Sequence, residues 1–360
     1  MTAKTIYVAV TFHGYGHVAQ TAPVVNELVT RQPDLRVVIE CVAPVELLRK
    51  HFHMSFEHVP IASDFGMVMH DSLAVDLQAS HERYLAQLSR WEEEIVQSMQ
   101  RMVAFRPGLV FGNVPYVPLL AAKRMGIPAM AMCSLNWAEI YHGYCHDLPG
   151  AARVYVQLCQ AYDSVDAFIA PTPSMPMPKV SKLVSVGPIA RRGISKRDEI
   201  RTRLALDDNS RIVAVFMGGV RTELPLDLWP RRADIHWLIA GSSCPAREDM
   251  TPIERIDFSY IDIVCSCDAL ITKPGYGGFV EAACNGIPVL YVPREVWPEA
   301  PHLVAWLECE ARCLRLEKHD LEHGNILPPL EALWALPKRP IVAPSGIDET
   351  ASILQERLKN

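Results

Sequence analysis

Two glycine loops in this sequence carry residue types that can do chemistry. The first reads Thr11-Phe-His13-Gly14-Tyr15-Gly16-His17. An imidazole titrates near neutral pH and can take a proton from an attacking hydroxyl, so His17 and His13 are candidate catalytic bases. Histidines bonded to the loop backbone fit the same spacing. Gly14 and Gly16 would turn the chain at the rim of a cleft. The loop lacks a full G-x-G-x-x-G pattern because position 19 is alanine, and Glu40 falls within a strand. Both points weigh against a dinucleotide site.

The second loop reads Lys273-Pro-Gly275-Tyr-Gly277-Gly278, with Glu281 three residues on. A helix is expected to begin near Gly278. A helix start exposes unpaired N–H groups and partial positive charge, which suit a phosphate. Glycine lets the phosphate approach because no Cβ intervenes. Glu281 would lie about one turn inside the helix and lean toward its N-terminus, where it could accept bonds from ribose hydroxyls. A plain turn with a surface glutamate is the alternative.

Three other segments join the candidate set. Gly218 and Gly219 end a strand and could approach a diphosphate, with Arg221 adding charge. Arg294 could face the phosphates and Glu299 could hold sugar hydroxyls, although ordinary surface charges fit that loop equally. Asn136, Trp137 and Glu139 pair an amide, an aromatic surface and an acid, a common way to hold a sugar, and Glu139 is a candidate general base. Aromatic core at a strand-to-helix junction also accounts for Trp137. The close pair Cys265-x-Cys267 lacks a partner pair at zinc spacing, so no metal site is expected.

These loops need elements to hold them. Strand-like runs at 6–11, 36–42, 55–60, 109–112, 129–134 and 166–170 alternate with helical patterns at 20–30, 44–51 and 117–125. Apolar residues spaced by three and four predict one long helix over 76–105. Prolines crowd 171–178, which breaks the pattern and marks a linker. The alternation then resumes with strands at 212–217, 235–240, 269–272 and 288–292. Alternating strands and helices imply parallel sheets covered on both faces. The expected fold class is therefore α/β, two doubly wound Rossmann-like domains facing across a cleft at the strands' carboxyl ends. The expected domains are 1–178 and 179–345, with a helix over 346–360 that could pack back on the first.

The bulk composition agrees. The 360 residues are 49% hydrophobic and 21% charged, enough for two packed cores. A net charge of −6 without a basic run argues against nucleic acid as a partner. No apolar run approaches the roughly 18 residues of a membrane span. The first residues read as a strand and not as a signal peptide. The ten dispersed cysteines are expected to be thiols in the cytoplasm.

On these residues the chain resembles GT-B glycosyltransferases. The stretch 272–293 is similar to their donor-site motif, although Lys273-Pro274 stands where the plant-type motif opens with histidine. Gly16-His17 matches the Gly-His of their N-terminal glycine loop. The likeness is stronger to the glycosyltransferase-like N-terminal region of L-arabinokinases. It runs through the loop at 13–17, a proline-to-Ala-Ala segment at 115–122, and 136–141. It continues at Lys273, Gly275, Tyr276, Gly277, Glu281 and Ala282.

The resemblance implies metal-independent transfer of a hexosyl or pentosyl group from a nucleotide-diphosphate sugar, such as a UDP-sugar, to an acceptor hydroxyl. No separate cofactor is implied. The donor-binding set would be Gly218, Gly219, Lys273, Gly275, Gly277, Gly278, Glu281, Arg294 and Glu299. Glu281 would match the ribose-binding glutamate and Glu299 the sugar-contacting acid or amide. Sugar phosphorylation is not implied. A nucleotide-sugar epimerase or hydrolase of the same fold, or a non-catalytic nucleotide- or sugar-binding module, remains open beside the transferase. The sugar, the base, the acceptor and the oligomeric state are not specified by the sequence.

Overall fold

The computed structural model describes residues 4–71, 74–218, 223–294 and 296–359. The first sheet holds β1 (Thr5–Val10), β2 (Arg36–Glu40), β3 (Glu57–Val59), β4 (Leu109–Asn113), β5 (Ala129–Met132), β6 (Ala167–Pro171) and β7 (Leu183–Val186). Its strands are parallel, in the order β3-β2-β1-β4-β5-β6-β7. The second holds β8 (Arg211–Phe216), β9 (Ile235–Ala240), β10 (Met250–Pro252), β11 (Ala269–Thr272), β12 (Val289–Tyr291) and β13 (Cys313–Arg315). Its order is β10-β9-β8-β11-β12-β13, also parallel. Each sheet reverses direction beside its first strand, so each has a topological switch point: β1/β4 in one and β8/β11 in the other.

The helices of the first half are α1 (Gly16–Arg31), α2 (Val45–His51), α3 (Leu77–Ser89), α4 (Trp91–Val103), α5 (Tyr116–Arg124), α6 (Trp137–Cys145) and α7 (Ala151–Asp163). Those that follow are α8 (Arg197–Leu204), α9 (Tyr260–Cys265), α10 (Tyr276–Asn285), α11 (Ala300–Glu310), α12 (Lys318–His323), α13 (Leu327–Ala335) and α14 (Gly346–Lys359). Strand β1 shows why both faces of the sheet need cover. Ile6 and Val8 pack into the layer that holds Val25 and Leu28 of α1, whereas Tyr7 packs with Ile95 and Tyr116 on the other side. Side chains alternate across a strand, so a strand apolar at every position must be covered twice.

Three expectations need correction. The long helix over 76–105 is two helices that break at Arg90, whose ψ of 12° leaves the helical range. Three glutamates at 92–94 favour a new N-terminus there, and Trp91 stacks on Tyr116 at 5.5 Å. The first domain does not stop at 178, because β7 pairs with β6. That edge strand leaves its first three residues exposed, so it has no apolar alternation to read. Helix α10 begins at Tyr276, two residues earlier than expected. Helices α7, α9, α12 and α13 are further elements that the sequence reading does not include.

Helix α14 lies on the first domain although it ends the chain. Arg31 of α1 bonds Asp348 and, at 2.7 Å, Ser352. Leu354 and Leu358 are buried in the same layer as α1. Between the sheets, the Tyr276 hydroxyl accepts from Ile189 N–H at 2.8 Å and donates to Thr172 C=O at 3.2 Å. The start of α10 is thereby tied to the strand end and the linker that lead out of the first sheet.

Candidate functional site

The first switch point supplies a positioned imidazole. Thr11, just past β1, bonds through its N–H to Asn113 C=O at the end of β4, 2.8 Å away. Gly14 has φ +93°, a left-handed conformation that glycine adopts without strain. The chain then enters α1, and His17 Nδ1 comes 2.9 Å from Asn113 Oδ1. An amide oxygen only accepts, so Nδ1 carries the hydrogen. The Asn113 amide is itself held by donation to Gln20 Oε1 at 2.9 Å. This leaves the lone pair of the His17 ring on Nε2. Burial lowers the His17 pKa, partly offset by the Asn113 bond, so the ring is neutral at pH 7 and can accept a proton. Sequence reading missed Asn113 and Gln20. The only available sign was a polar residue closing the apolar run of β4.

The other N-terminal candidates have different partners. His13 Nε2 donates to Met67 C=O at 2.9 Å. Its ring stacks on Trp297 at 6.2 Å and meets Trp137 edge-on at 5.2 Å, and burial drives its pKa down to about 4. It therefore joins the two domains instead of offering a second base. Trp137 is fully buried and donates to Asp64 Oδ2 at 2.8 Å, so it is core and not an open stacking surface. Asn136 caps α6 by accepting from Glu139 N–H at 2.8 Å. Glu139 is half-buried and accepts from Tyr155 of α7 at 3.1 Å, and it is not brought to His17. Asp64 was not foreseen. It is buried, accepts from both Thr11 and Trp137, and burial pushes its carboxyl up to about 7.

The second switch point gathers positive charge. Gly218 has φ +94°, and a Cβ there would come 2.9 Å from Lys273 Cε. The positive φ is what calls for glycine there, and the Lys273 side chain packs beside it at the end of β8. Gly219 and Arg221 lie outside the described residues. Gly275 sits at the N-cap of α10, so Gly277 and Gly278 fall in the first turn, where N–H groups lack helical partners. A Cβ on Gly277 would meet nothing within 4 Å, so that helix start is open. Burial, then the charge of Arg294, lowers the Lys273 pKa to about 7. Glu281 is buried on α10, its Oε1 lies 3.7 Å from Arg191 Nε, and burial raises its carboxyl to about 7.

The loop after β12 brings the two halves together. The Arg294 guanidinium lies 3.8 Å from the Trp297 ring centre. Glu299 is buried and accepts from Trp297 Nε1 at 3.1 Å. His13 stacks on the same Trp297 ring that Arg294 lies over, and Arg294 also reaches Met69 of the first domain, so the N-terminal glycine loop and the loop after β12 meet in one site.

No protein-family model matches the chain. It is 26% identical over 359 residues to an L-arabinokinase of Arabidopsis thaliana, which covers 96% of this chain and 34% of that protein. The chain thus spans about a third of the length of that relative. Among solved structures, the calicheamicin glycosyltransferase CalG4 superposes with a TM-score of 0.62 at 18% identity, over 100% of this chain and 95% of CalG4.

The fold is GT-B. A UDP-glucosyltransferase from Polygonum tinctorium superposes with a TM-score of 0.61 at 13% identity, over 99% of this chain and 93% of its own. In GT-B terms, β1/β4 and β8/β11 are the switch points of the two facing domains. The resemblance to the L-arabinokinase extends across both of them.

Proposed function

We propose that this chain is a glycosyltransferase that moves a sugar from a nucleotide-diphosphate sugar to an acceptor hydroxyl. One observation carries the reading. A neutral imidazole with its tautomer set by Asn113 sits in the first turn of α1, which packs against α10, and α10 has an open start with Lys273 just ahead of it. A base on one side and an anion site on the other are what displacement of a diphosphate requires.

In this reading Nε2 of His17 takes the acceptor proton as the oxygen bonds to the anomeric carbon. The bond from that carbon to the diphosphate oxygen breaks, and the configuration inverts. The leaving oxygen gains charge, which the first-turn N–H groups of α10 and Lys273 stabilise. Glu281 would hold the ribose and Glu299 the sugar hydroxyls. The lysine and the helix start supply the neutralisation that a divalent cation could otherwise provide, so transfer is expected to survive EDTA.

The name of the Polygonum enzyme makes UDP the first nucleotide to test. A cytoplasmic setting is part of the proposal and fits ten free cysteines. No described helix is long and apolar enough to cross a membrane.

A thermal-shift screen with UDP, dTDP, GDP and CDP tests the donor site, because a ligand of the native state raises its stability. A shift with one nucleotide is expected, followed by glycoside formation when the sugar conjugate meets an acceptor. No shift with any of them would overturn the reading.

A further inference from the structure

The first domain contains a cavity of about 360 Å³ that the reaction outlined above does not use. That volume lies in the range of small-ligand sites, about 300–1,000 Å³. The loop 61–65, which follows β3, forms one wall, and helices α3 and α4 supply most of the rest. Three arginines line it: Arg83 on α3, Arg90 at the break between the helices, and Arg101 on α4. Every described residue of the lining belongs to the first domain, so the cavity is separate from Lys273 and the start of α10.

The three arginines are neutralised to different degrees. Arg101 lies 3.3 Å from Glu40, a carboxylate that is 1% exposed and also accepts from Tyr7 and Ser63. Arg90 meets Glu93 at 3.2 Å, but both side chains are more than half exposed, and such pairs are weak. Arg83 lies over the Phe65 ring, 4.3 Å from its centre, and makes no ion pair among the described residues. Two acids share the lining, Glu94 and Asp64. Glu94 accepts from Gln87 at 2.8 Å. Asp64 is 8% exposed, and its hydrogen bonds, from Thr11 and Trp137, both end on Oδ2. Its Oδ1 is left without a partner among the described residues. Burial raises this carboxyl to about 7, so on the acid side of neutrality it carries a proton and does not repel an anion.

An unpaired guanidinium accepts an oxyanion, and an unpartnered oxygen of a buried carboxyl needs a hydrogen-bond partner. We propose that this cavity binds a small phosphorylated molecule, its phosphate held by Arg83, Arg90 and Arg101 and the remainder lying against Phe65 and Val117. A phosphate monoester spreads about two charges over three acceptor oxygens, which suits several guanidinium forks better than one carboxylate does. The same stretch of chain also steadies the N-terminal glycine loop. Asp64 accepts from Thr11, and three residues on, Met67 C=O accepts from His13 at 2.9 Å. A ligand in the cavity therefore touches the segment that fixes this loop. The inference does not depend on the donor-site reading.

Calorimetric titration at low salt with inorganic phosphate, glucose 6-phosphate and glucose tests it. Both phosphates are expected to bind, and glucose is not. Arg83→Gln and Arg90→Gln should each weaken phosphate binding about tenfold, the scale of a charge-assisted hydrogen bond. Ala86→Glu, which adds a carboxylate to the lining, should abolish it. All three positions are exposed, so the variants should keep the melting temperature of the wild type. Lys273→Met is expected to leave phosphate binding intact. Failure of both phosphates to bind more tightly than about 10 mM would overturn the proposal. So would glucose binding as tightly as glucose 6-phosphate. Binding that survives Arg83→Gln and Arg90→Gln but is lost in Lys273→Met would place the phosphate at the start of α10 and overturn it as well.

Discussion

His17 Nδ1 and Asn113 Oδ1 stand 2.9 Å apart although 96 positions separate them in sequence. The bond puts the free lone pair on Nε2. His17→Ala should lower kcat for transfer by roughly 10²- to 10⁴-fold while nucleotide affinity stays near that of the wild type. Asn113→Asp would place a carboxylate on the ring. An anion favours the imidazolium, so the His17 pKa should rise and the acidic limb of the kcat/KM profile should move to higher pH. An unmoved limb would show that His17 is not the titrating base.

Lys273 predicts how donor binding depends on pH. Its pKa is about 7 in the free protein, against an ordinary 10.5. A bound diphosphate favours the charged form and raises it again. Binding therefore takes up a proton, so affinity is full below pH 7 and falls above it, by up to about tenfold per unit. Titrations of UDP-glucose between pH 6 and 9 would show this, and Lys273→Arg should flatten the curve.

Glu281 offers a test of the ribose assignment. Glu281→Ala should weaken UDP binding about tenfold, the scale of hydrogen bonds to a charged group. The loss should be smaller for 2′-deoxy-UDP, which lacks one of the hydroxyls. Equal losses for the two ligands would contradict the assignment.

Asp64 bears on stability. Its carboxyl titrates at about 7 in the fold, against 3.8 in the open chain. The folded state then holds a proton that the unfolded state releases. Stability should decline as pH rises between about 4 and 7 and stay low above that. Asp64→Asn can still accept from Thr11 and Trp137, and it should remove this decline in chemical unfolding at several pH values. Asp64→Ala strands both donors and should cost about 1–3 kcal/mol at pH 5.

The fold class and the alternation of strands and helices were legible because they depend on local periodicity. The positions of both glycine loops were legible for a related reason. A chain that leaves a parallel strand for a helix must turn, and Gly14, Gly218 and the glycines of α10 mark such turns. Histidine, lysine and glutamate at those turns could be proposed from residue type alone.

Partnership was not legible. Whether His17 meets Glu139 or Asn113 depends on β4 lying beside β1, and hydrogen bonds between strands are not written in either segment. In sequence Trp137 fits a sugar-stacking surface or aromatic core and Asn136 a sugar-binding amide, and the tertiary structure makes them core and helix cap. Nothing in the sequence marks that Arg294 is buried over Trp297 and against Met69. Sequence alone determined the alternation of strands and helices and where the glycine turns fall, since neighbours along the chain control both. Only the tertiary structure decided which distant side chains meet and which are buried, and those two facts set protonation and charge at this site.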